Sequence, residues 1–256
     1  ALRRAGPVPC PPPLVGRMGQ VVFVSNRLAV RVDRTDGENG DSSGDNFEFV
    51  RSVGGLATGL SSVASGANSS TWVGWSGLPS DSLAPEEERE INRRLREEHD
   101  SIGVPLTQED LDLFYAGFCN DTVWPLFHYF PTYTSYRPDF WESYKTVNQK
   151  FFRAVMEVAE PDATIWIHDY QLFLLPGLIK DALPDTKIGF FLHIPFPSFE
   201  VFRLLPWREE ILEGVLGADL IGFHTYDYAR HFLSSVRRLL GYDHSMGLIQ
   251  AGDRVS

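Results

Sequence analysis

Ionisable side chains in this sequence stand at or directly after the ends of runs that favour β-strands. Arg27 follows the first run, His168 and Asp169 follow a second, and His193 and His224 each follow a further one. In open α/β sheets the ligand crevice lies beyond the carboxyl ends of the strands. We therefore expect these side chains to meet at one edge of a sheet, an arrangement that core packing alone would not produce.

Three of these residues have side chains that can bind anionic groups or hydroxyls. The guanidinium of Arg27 offers a planar fork for phosphate or carboxylate oxygens, although a surface ion pair with a nearby acid would explain it equally well. Asp169 can hold sugar hydroxyls or accept a proton, and a neutral His193 imidazole can hydrogen-bond a hydroxyl. His168 is better explained as a structural histidine beside a strand end.

Gly54 and Gly55 precede a helical pattern. Their backbone N–H groups can approach an anionic ligand closely, and a helix N-terminus favours negative charge. A Gly-Gly turn that merely connects two elements is nevertheless commoner. The sequence contains no G-x-G and no Gly-Lys, which argues against a dinucleotide dehydrogenase and excludes a P-loop.

Two stretches rich in aromatic residues hold further candidates. Aromatic faces stack on the apolar faces of sugar rings, while a tyrosine hydroxyl can bond to sugar hydroxyls. Since most aromatic residues belong to cores, we expect Phe118, Phe127 and Tyr129 to be core residues, with Tyr115 and Trp124 as the exceptions.

Metal and nucleophilic chemistry have little support in the sequence. The histidines never form H-E-x-x-H, and Cys10 and Cys119 are too few for a cysteine-rich zinc site. The single G-x-S-x-G match, at residues 40–44, lies in a segment rich in Asp, Gly, Asn and Ser that predicts a loop, and not between a strand and a helix, so a serine hydrolase has no support. We therefore expect no metal ion.

Strand and helix patterns alternate along the chain, as in a parallel sheet covered by helices on both faces. The strand signals lie at 21–24, 71–75, 164–167, 187–192 and 220–223. The helical patterns lie at 85–99, 146–159, 172–182, 207–216 and 226–240. The fold class is therefore α/β, with a doubly wound, mostly parallel sheet.

Length, composition and charge limit the classes of function. With 256 residues, of which 43% are hydrophobic, the chain is one large globular domain or two small ones. Its 23 basic and 34 acidic residues make a poor surface for nucleic acid. No apolar run is long enough to span a membrane, and the low cysteine content favours a reducing compartment. We expect a soluble, cytoplasmic protein.

The ends of the chain and one internal segment differ from the rest in composition. Residues 1–19 are rich in proline and are expected to be a disordered leader or tail, so that order begins at Gln20. Residues 33–46, rich in Asp, Gly, Asn and Ser, predict a long mobile loop. The chain ends soon after a predicted helix, without the compositional change that usually closes a multidomain enzyme, and we expect a fragment.

Seven segments together resemble the trehalose-6-phosphate synthase family, whose members are retaining glycosyltransferases of the GT-B fold with two Rossmann-like domains. They follow the family's order and cover most of residues 21–241: VVFVSNRLAV, SVGGLATGL, TWVGWSGL, FYAGFCNDTVWPLFHY, IWIHDYQLFLLP, IGFFLHIPFPSFEVFRLLPWREEIL and GADLIGFHTYDYARHFLSSVRRLLG. The resemblance implies that residues 20–256 form the N-terminal, acceptor-binding domain. The C-terminal, donor-binding domain of the family is expected to be absent from this chain.

The same resemblance implies roles for individual residues. Arg27 would contact the phosphate of the acceptor, glucose 6-phosphate, and Asp169 would bind hydroxyls of the acceptor sugar. His193 would contact the glucose of the donor, UDP-glucose, and would belong with Asp169 to the catalytic centre. The residues implied to line the acceptor pocket are Trp75, Tyr115 and Trp124, and those against the donor diphosphate are Gly54 and Gly55.

The reaction implied by the resemblance transfers glucose from UDP-glucose to glucose 6-phosphate with retention, giving trehalose 6-phosphate and UDP. Front-face attack, in which the leaving phosphate takes the acceptor's proton, is the expected mechanism, with no metal and no cofactor. The cations that stabilise the diphosphate belong to the absent domain. The chain alone is therefore expected to turn over little or no substrate.

Two other functions fit the same residues. A non-catalytic sugar-phosphate-sensing domain of this fold would be expected to have lost ligand-contacting residues, whereas Arg27, Tyr115, Asp169 and His193 are all present here. A related glucosyltransferase would use another phosphorylated acceptor, such as glycerol 3-phosphate. In each case the expected partners are small-molecule substrates, and the sequence is compatible with a homo-oligomer.

Overall fold

The computed structural model describes residues 18–35, 46–51, 59, 67–251 and 254–255. Six strands form a parallel sheet: β1 Met18–Arg27, β4 Ala67–Trp75, β5 Ser101–Gly103, β6 Thr164–His168, β7 Lys187–Leu192 and β8 Leu220–Phe223. Their order in the sheet is β5-β4-β1-β6-β7-β8. Five further strands pair antiparallel: β2 Val30–Arg34 with β3 Phe47–Arg51, and β10 Leu248–Ala251 with β9 His244–Ser245 and β11 Arg254–Val255.

Strand β1 lies in the middle of the sheet because its residues are apolar on both faces. Val22 and Val24 belong to the main core, while Val21 and Phe23 pack in a separate cluster, as the alternation of side chains along a strand requires. From β1 the chain builds β4 and β5 on one side, and then β6, β7 and β8 on the other. This reversal of strand order beside β1 is a topological switch point, where open α/β sheets form their ligand crevice.

Helices connect the strands of the sheet. The described α-helices are α1 Pro85–His99, α2 Gln108–Asp110, α3 Trp124–Phe127, α4 Pro138–Met156, α5 Leu175–Ala182, α6 Phe199–Phe202, α7 Arg208–Val215 and α8 Tyr226–Leu240. A π-helix, Leu111–Val123, joins α2 to α3, and single turns of 3₁₀-helix lie at Ser80–Ser82, Pro131–Tyr133 and Tyr170–Leu172. None of the described helices combines the length and the apolar character needed to cross a membrane.

The π-helix packs against α4 through aromatic rings. The ring centroid of Phe118 lies 4.3 Å from that of Tyr144 and 5.3 Å from that of Trp141, and all three side chains are buried. Gly117 allows this contact, because a Cβ at that position would lie 2.7 Å from the ring of Phe140. The predicted core residues Phe118 and Phe127 are thereby confirmed, since both are fully buried.

The five strands and five helices expected from the sequence are present, some with different ends. Helix α8 has the predicted bounds because Thr225 accepts a hydrogen bond from the Tyr228 N–H at its start, and Gly241 ends it with φ of 74°. Helix α4 begins at Pro138, eight residues before the predicted start at residue 146. Strand β1 begins at Met18, two residues before the expected start of order.

Several elements were not expected, among them β5, the β2–β3 pair and the π-helix. The first two positions of the predicted loop at 33–46 belong to strand β2, which pairs with β3. Residues 36–45 of that loop, and residues 1–17 of the predicted leader, lie outside the described residues.

Candidate ligand site at the strand ends

Arg27 is held at the end of β1 by an irregularity in the sheet. The pairing of β1 with β4 shifts register between Val24 and Arg27. The Ser25 hydroxyl donates a hydrogen bond to the Arg27 carbonyl (2.7 Å) and accepts one from the Trp72 indole N–H (2.8 Å). Gly74 leaves room for this bulge, because a Cβ there would lie 2.8–2.9 Å from backbone atoms of 25–28. The bulge directs the strand end toward the crevice.

The guanidinium of Arg27 lies on aromatic rings. Its Cζ atom is 4.8 Å from the ring centroid of Trp75 and 6.0 Å from that of Tyr115. Trp75 is buried, and its indole N–H donates to the carbonyl of Leu78 (3.0 Å), so it offers a ring face rather than a free donor. In the described part of the chain no carboxylate pairs with Arg27, whose side chain is exposed and free to bind an anion.

Tyr115 reaches the site because it lies on the π-helix. Such segments are rare and recur at functional sites, since their wider turn re-aims side chains. The same helix presents Asn120, whose Oδ1 accepts a hydrogen bond from the Tyr170 hydroxyl (3.1 Å). Burial first, and then the nearby Cys119 thiol and Asp169 carboxylate, raise the pKa of Tyr170 above its ordinary value. The tyrosine therefore stays neutral and remains a hydrogen-bond donor.

Asp169 follows β6 in a strained backbone conformation, with φ of 75° and ψ of 171°. Its Oδ1 accepts a hydrogen bond from the backbone N–H of His193 (3.0 Å). Burial raises the pKa of Asp169 to about 6, although that N–H, the N–H of Tyr170 and the nearby His224 and His128 oppose the shift. The carboxyl group therefore titrates close to neutral pH, which suits proton transfer or binding of hydroxyl groups.

Buried groups beneath the site fix the turn that carries Asp169. The Tyr144 hydroxyl donates to the Tyr170 carbonyl (2.8 Å) and accepts from the Phe173 N–H (2.9 Å). The side-chain amide of Asn148 donates to the Gln171 carbonyl (3.1 Å). These bonds satisfy backbone groups that would otherwise be buried without partners, and they make the turn rigid.

His193 lies between two other histidines. Its Nε2 is 3.1 Å from Nδ1 of His168, and its ring centroid is 5.6 Å from that of His224. Burial, and next the nearby His224, lowers the pKa of His193, and burial lowers the pKa of His168 to about 3. Both rings are therefore neutral at neutral pH and act as hydrogen-bonding groups rather than as cations.

Trp124 lies at the far end of the π-helix with 43% of its surface exposed. Its ring stacks on His128 with centroids 4.0 Å apart, and His128 is close enough to Asp169 to affect its pKa. Tyr129 was expected in the core, and this prediction is wrong because its side chain is 49% exposed. With φ of 67°, Tyr129 turns away from the core, and its hydroxyl accepts a hydrogen bond from the Ser198 N–H.

The structure thus brings together most of the residues expected from the sequence. Arg27, Trp75 and Tyr115 form one group in direct contact, and Asp169 and His193 form a second. Electrostatic interactions of Tyr170 with both Tyr115 and Asp169 join the two groups, and Trp124 borders the second through His128. Gly54 and Gly55 lie outside the described residues.

Sequence reasoning did not select Asn120, His128 or Tyr170 for the site. Tyr170 comes directly after Asp169, so the strand-end rule places it at the same edge of the sheet without giving it a role. Asn120 and His128 depend on the turn of the π-helix and on stacking, and no sequence pattern marked either one. In the residues that the structure describes, no group of three or more His, Cys, Asp or Glu side chains is arranged to hold a metal ion.

The site combines a cation on aromatic rings, a carboxyl group that titrates near neutral pH and neutral imidazoles. A cation beside aromatic faces suits a ligand that joins a phosphate to a ring with an apolar face. The carboxyl and imidazole groups suit hydroxyl groups. The arrangement can therefore bind a phosphorylated sugar.

A family model and two relatives match most of this chain. The model of glycosyltransferase family 20 matches residues 19–255. The alpha,alpha-trehalose-phosphate synthase (UDP-forming) of Pichia angusta is 46% identical over 229 residues, which cover 87% of this chain and 46% of that protein. The bifunctional trehalose-6-phosphate synthase/phosphatase of Thermoproteus tenax is 45% identical over 92% of this chain and 31% of its own length.

Solved structures agree with the sequence comparison. An alpha,alpha-trehalose-phosphate synthase (UDP-forming) from Burkholderia vietnamiensis superposes with a TM-score of 0.75 at 30% identity, over 93% of this chain and 47% of that one. The chain thus spans less than half the length of these relatives. Its parallel sheet is the one expected for a Rossmann-like domain of the GT-B fold. The chain therefore belongs to glycosyltransferase family 20, the family of the trehalose-phosphate synthases.

Proposed function

We propose that this chain is the acceptor-binding part of an alpha,alpha-trehalose-phosphate synthase. The complete enzyme would transfer glucose from UDP-glucose to glucose 6-phosphate with retention, and would release trehalose 6-phosphate and UDP. The proposal is supported by the activities named for relatives that are 45–46% identical and by the chemistry of the strand-end site.

One observation carries the proposal most directly. Arg27 lies on the face of Trp75 and near Tyr115, without a carboxylate partner in the described chain. A guanidinium placed in this way can bind a phosphate through two parallel hydrogen bonds while the aromatic residues contact the attached sugar ring. We infer that Arg27 binds the phosphate of glucose 6-phosphate, with Trp75, Tyr115 and Trp124 around its sugar.

Asp169 and His193 are assigned to the sugars at the point of transfer. Asp169 would bind hydroxyl groups of the acceptor, and His193 would donate a hydrogen bond to the glucose of the donor. Of the residues that directly follow the six strands of the described sheet, Asp169 is the only acid. Double displacement uses two carboxyl groups about 5 Å apart, so we favour front-face attack with the leaving phosphate as the base. Gly54 and Gly55 would approach the diphosphate.

No metal ion or cofactor is part of the proposal. The facing nitrogens of His168 and His193 are paired with each other, which leaves them unsuited to bind a metal together. Addition of a chelator such as EDTA to the complete enzyme should leave the transfer rate unchanged.

A cytoplasmic location is also proposed, and the free thiol of Cys119 supports it, since reducing compartments keep thiols unpaired.

Calorimetric titration of the chain with glucose 6-phosphate tests the acceptor site. We expect saturable binding of glucose 6-phosphate and much weaker binding of glucose. The Arg27→Ala variant should lose about 10- to 100-fold in affinity, because hydrogen bonds to a charged group contribute about 1.5–3 kcal/mol each. Arg89→Ala is the matched control, since Arg89 pairs with Glu86 on the exposed face of α1 and lies in no site.

The same titration separates the alternatives. Tighter binding of glycerol 3-phosphate than of glucose 6-phosphate would indicate a related glucosyltransferase with another acceptor. If the Arg27→Ala variant and the unchanged chain bind glucose 6-phosphate with equal affinity, Arg27 does not bind its phosphate. A sensing domain would bind glucose 6-phosphate, yet the complete protein would release no UDP from UDP-glucose.

A further inference from the structure

The imidazole of His168 is a buried polar group to which the proposed reaction gives no role. His168 is the last residue of β6 and is 2% exposed. Its Nδ1 lies 3.1 Å from Nε2 of His193, which directly follows the neighbouring strand β7. Its other nitrogen, Nε2, is buried without a hydrogen-bond partner.

The two rings share a single proton along this contact. Burial keeps His168 in its neutral form, and a neutral imidazole carries one N–H and one bare nitrogen. Either Nδ1–H of His168 donates to Nε2 of His193, or Nε2–H of His193 donates to Nδ1 of His168. The first choice gives His193 an Nδ1–H, and the second leaves its Nδ1 bare.

The unpartnered nitrogen of His168 decides between these arrangements. In the second arrangement the proton of His168 would sit on Nε2, as a buried N–H with no acceptor. Buried N–H groups without an acceptor are rarer in proteins than acceptors without a donor. The first arrangement leaves only a bare nitrogen at that position, and it is therefore favoured.

We propose that His168 is a positioning residue that holds His193 as its Nδ1–H tautomer, so that His193 presents an N–H donor to an oxygen atom of the ligand. Only the identity of that ligand, a sugar hydroxyl, rests on the proposed function. Of the hydrogen bonds found in the described chain, none involves Nδ1 of His193, and this nitrogen is not among the buried atoms that lack a partner.

His193 is fixed at its backbone as well as at its ring. Its backbone N–H donates to Oδ1 of Asp169 (3.0 Å), and the N–H of Asp169 donates to the carbonyl of Phe191 (2.9 Å). The ends of β6 and β7 thus hold the position of His193 through Asp169 and its ring through His168. A donor with one orientation and one tautomer loses no freedom when ligand binds.

The tautomer can be read directly by NMR. Long-range ¹H–¹⁵N correlation spectra of the chain, labelled with ¹⁵N-histidine, distinguish protonated from bare ring nitrogens. The signals of His193 are identified by their absence from the spectrum of His193→Ala. We expect a protonated Nδ1 and a bare Nε2 for His193; the opposite pattern, or an average of the two, would overturn the proposal.

Two variants test whether His168 fixes the tautomer of His193. His168→Asn places an amide N–H close to the position of Nδ1 and should keep His193 as the Nδ1–H tautomer. His168→Leu removes the donor, so His193 should no longer be held in a single tautomer. An unchanged spectrum of His193 in folded His168→Leu would contradict the assignment, and if that variant does not fold, the unchanged chain and His168→Asn still decide.

The NMR spectrum tests the role of His168, and the calorimetric titration tests the proposed ligand, so one proposal can be overturned while the other stands. A chain that does not bind glucose 6-phosphate, yet shows the Nδ1–H tautomer, would overturn the proposed ligand and leave the role of His168 standing. A chain that binds glucose 6-phosphate and shows His193 as the Nε2–H tautomer would overturn the role of His168 and leave the proposed ligand standing.

Discussion

At the scale of single residues, both the burial and the backbone conformation of Asp169 are unfavourable. Its carboxylate is desolvated, and its backbone has a positive φ and an extended ψ, a combination that costs about 1–3 kcal/mol outside glycine. The hydrogen bond from the His193 N–H recovers part of this cost. Residues held in this way are typical of ligand sites, where stability is given up for position.

The charge of Asp169 should therefore make stability depend on pH. Burial raises the pKa of Asp169 from 3.8 to about 6, so the folded chain binds this proton more tightly than the unfolded chain does. The contribution of Asp169 to stability is complete below about pH 4 and is lost as the pH rises through about 6. We expect Asp169→Asn to raise the free energy of unfolding by about 1–3 kcal/mol at pH 7.5 and to have little effect at pH 4.

Thermal unfolding of both chains at the two pH values measures this difference. The melting temperature of Asp169→Asn should exceed that of the unchanged chain by a few degrees at pH 7.5 only, because about 1 kcal/mol shifts Tm by roughly 2–4 °C in a chain of this size. A change of the same size at both pH values would refute the argument. The same variant should lose binding of glucose 6-phosphate.

Individual residues could be predicted where a strand end placed them. Arg27, Asp169 and His193 were found because strand ends of a parallel sheet share one edge. Tyr129 could not be predicted correctly, because only the local turn decides whether its ring enters the core. The choice of tautomer at His193 was equally out of reach, since it depends on His168, which ends a different strand.

At the scale of elements, the bulge at the end of β1 depends on the strand beside it. Gly74 of β4 lets the backbone of 25–28 approach more closely than a side chain would allow. The bulge in turn sets the direction in which Arg27 leaves the sheet. The position of the proposed phosphate-binding residue is thus determined by a glycine on a different strand.

Replacing this glycine should affect both folding and binding. In Gly74→Ala the new Cβ would lie 2.8 Å from the Ser25 carbonyl oxygen, so the two strands must separate. We expect a loss of about 1–3 kcal/mol in stability and weaker binding of glucose 6-phosphate, measured by denaturant unfolding and calorimetry. Gly189→Ala in β7 is the control, since its nearest neighbour, the Trp166 ring, would lie at an ordinary 3.5 Å.

Equal stabilities of Gly74→Ala and Gly189→Ala would show that the bulge does not need the glycine. A loss of stability without any loss of affinity would show that Arg27 keeps its position when the strands move. Either result would contradict the dependence of the bulge in β1, and of the position of Arg27, on Gly74 of β4.

Elements with strong local signals could be predicted from the sequence, and those that depend on partners could not. Helix α8 carries both of its end signals, at Thr225 and Gly241. Strand β5, by contrast, is three residues long and forms because β4 offers it an edge. The π-helix has no periodicity by which its sequence differs from that of an α-helix packed in a core.

At the scale of the whole molecule, the strand ends of the sheet supply a cation for only one of the two phosphate-bearing substrates. Of the residues that end or directly follow its six strands, Arg27 is the only lysine or arginine in the described chain. If Arg27 binds the acceptor phosphate, these strand ends offer no second cation for the diphosphate of the donor. Negative charge that develops on a leaving group needs such a partner to lower the barrier.

We therefore expect the 256-residue chain to bind glucose 6-phosphate without turning over UDP-glucose. Release of UDP in the presence of both substrates should remain at background, while a full-length member of the family gives a clear rate in the same assay. Turnover by the chain at a rate similar to that of the full-length enzyme would show that the charge of the leaving group is stabilised within these residues.

The π-helix determines which kinds of mutation its segment can tolerate. Loss of one residue between Tyr115 and Trp124 would convert a wide turn into an ordinary α-helical one, and every side chain beyond that point would rotate by about 100°. Tyr115 would still face the strand ends, and Trp124 would not. Exchange of one residue for another of similar size keeps both in place. Insertions and deletions are therefore more harmful in this segment than substitutions, and its length is under tighter constraint than its composition.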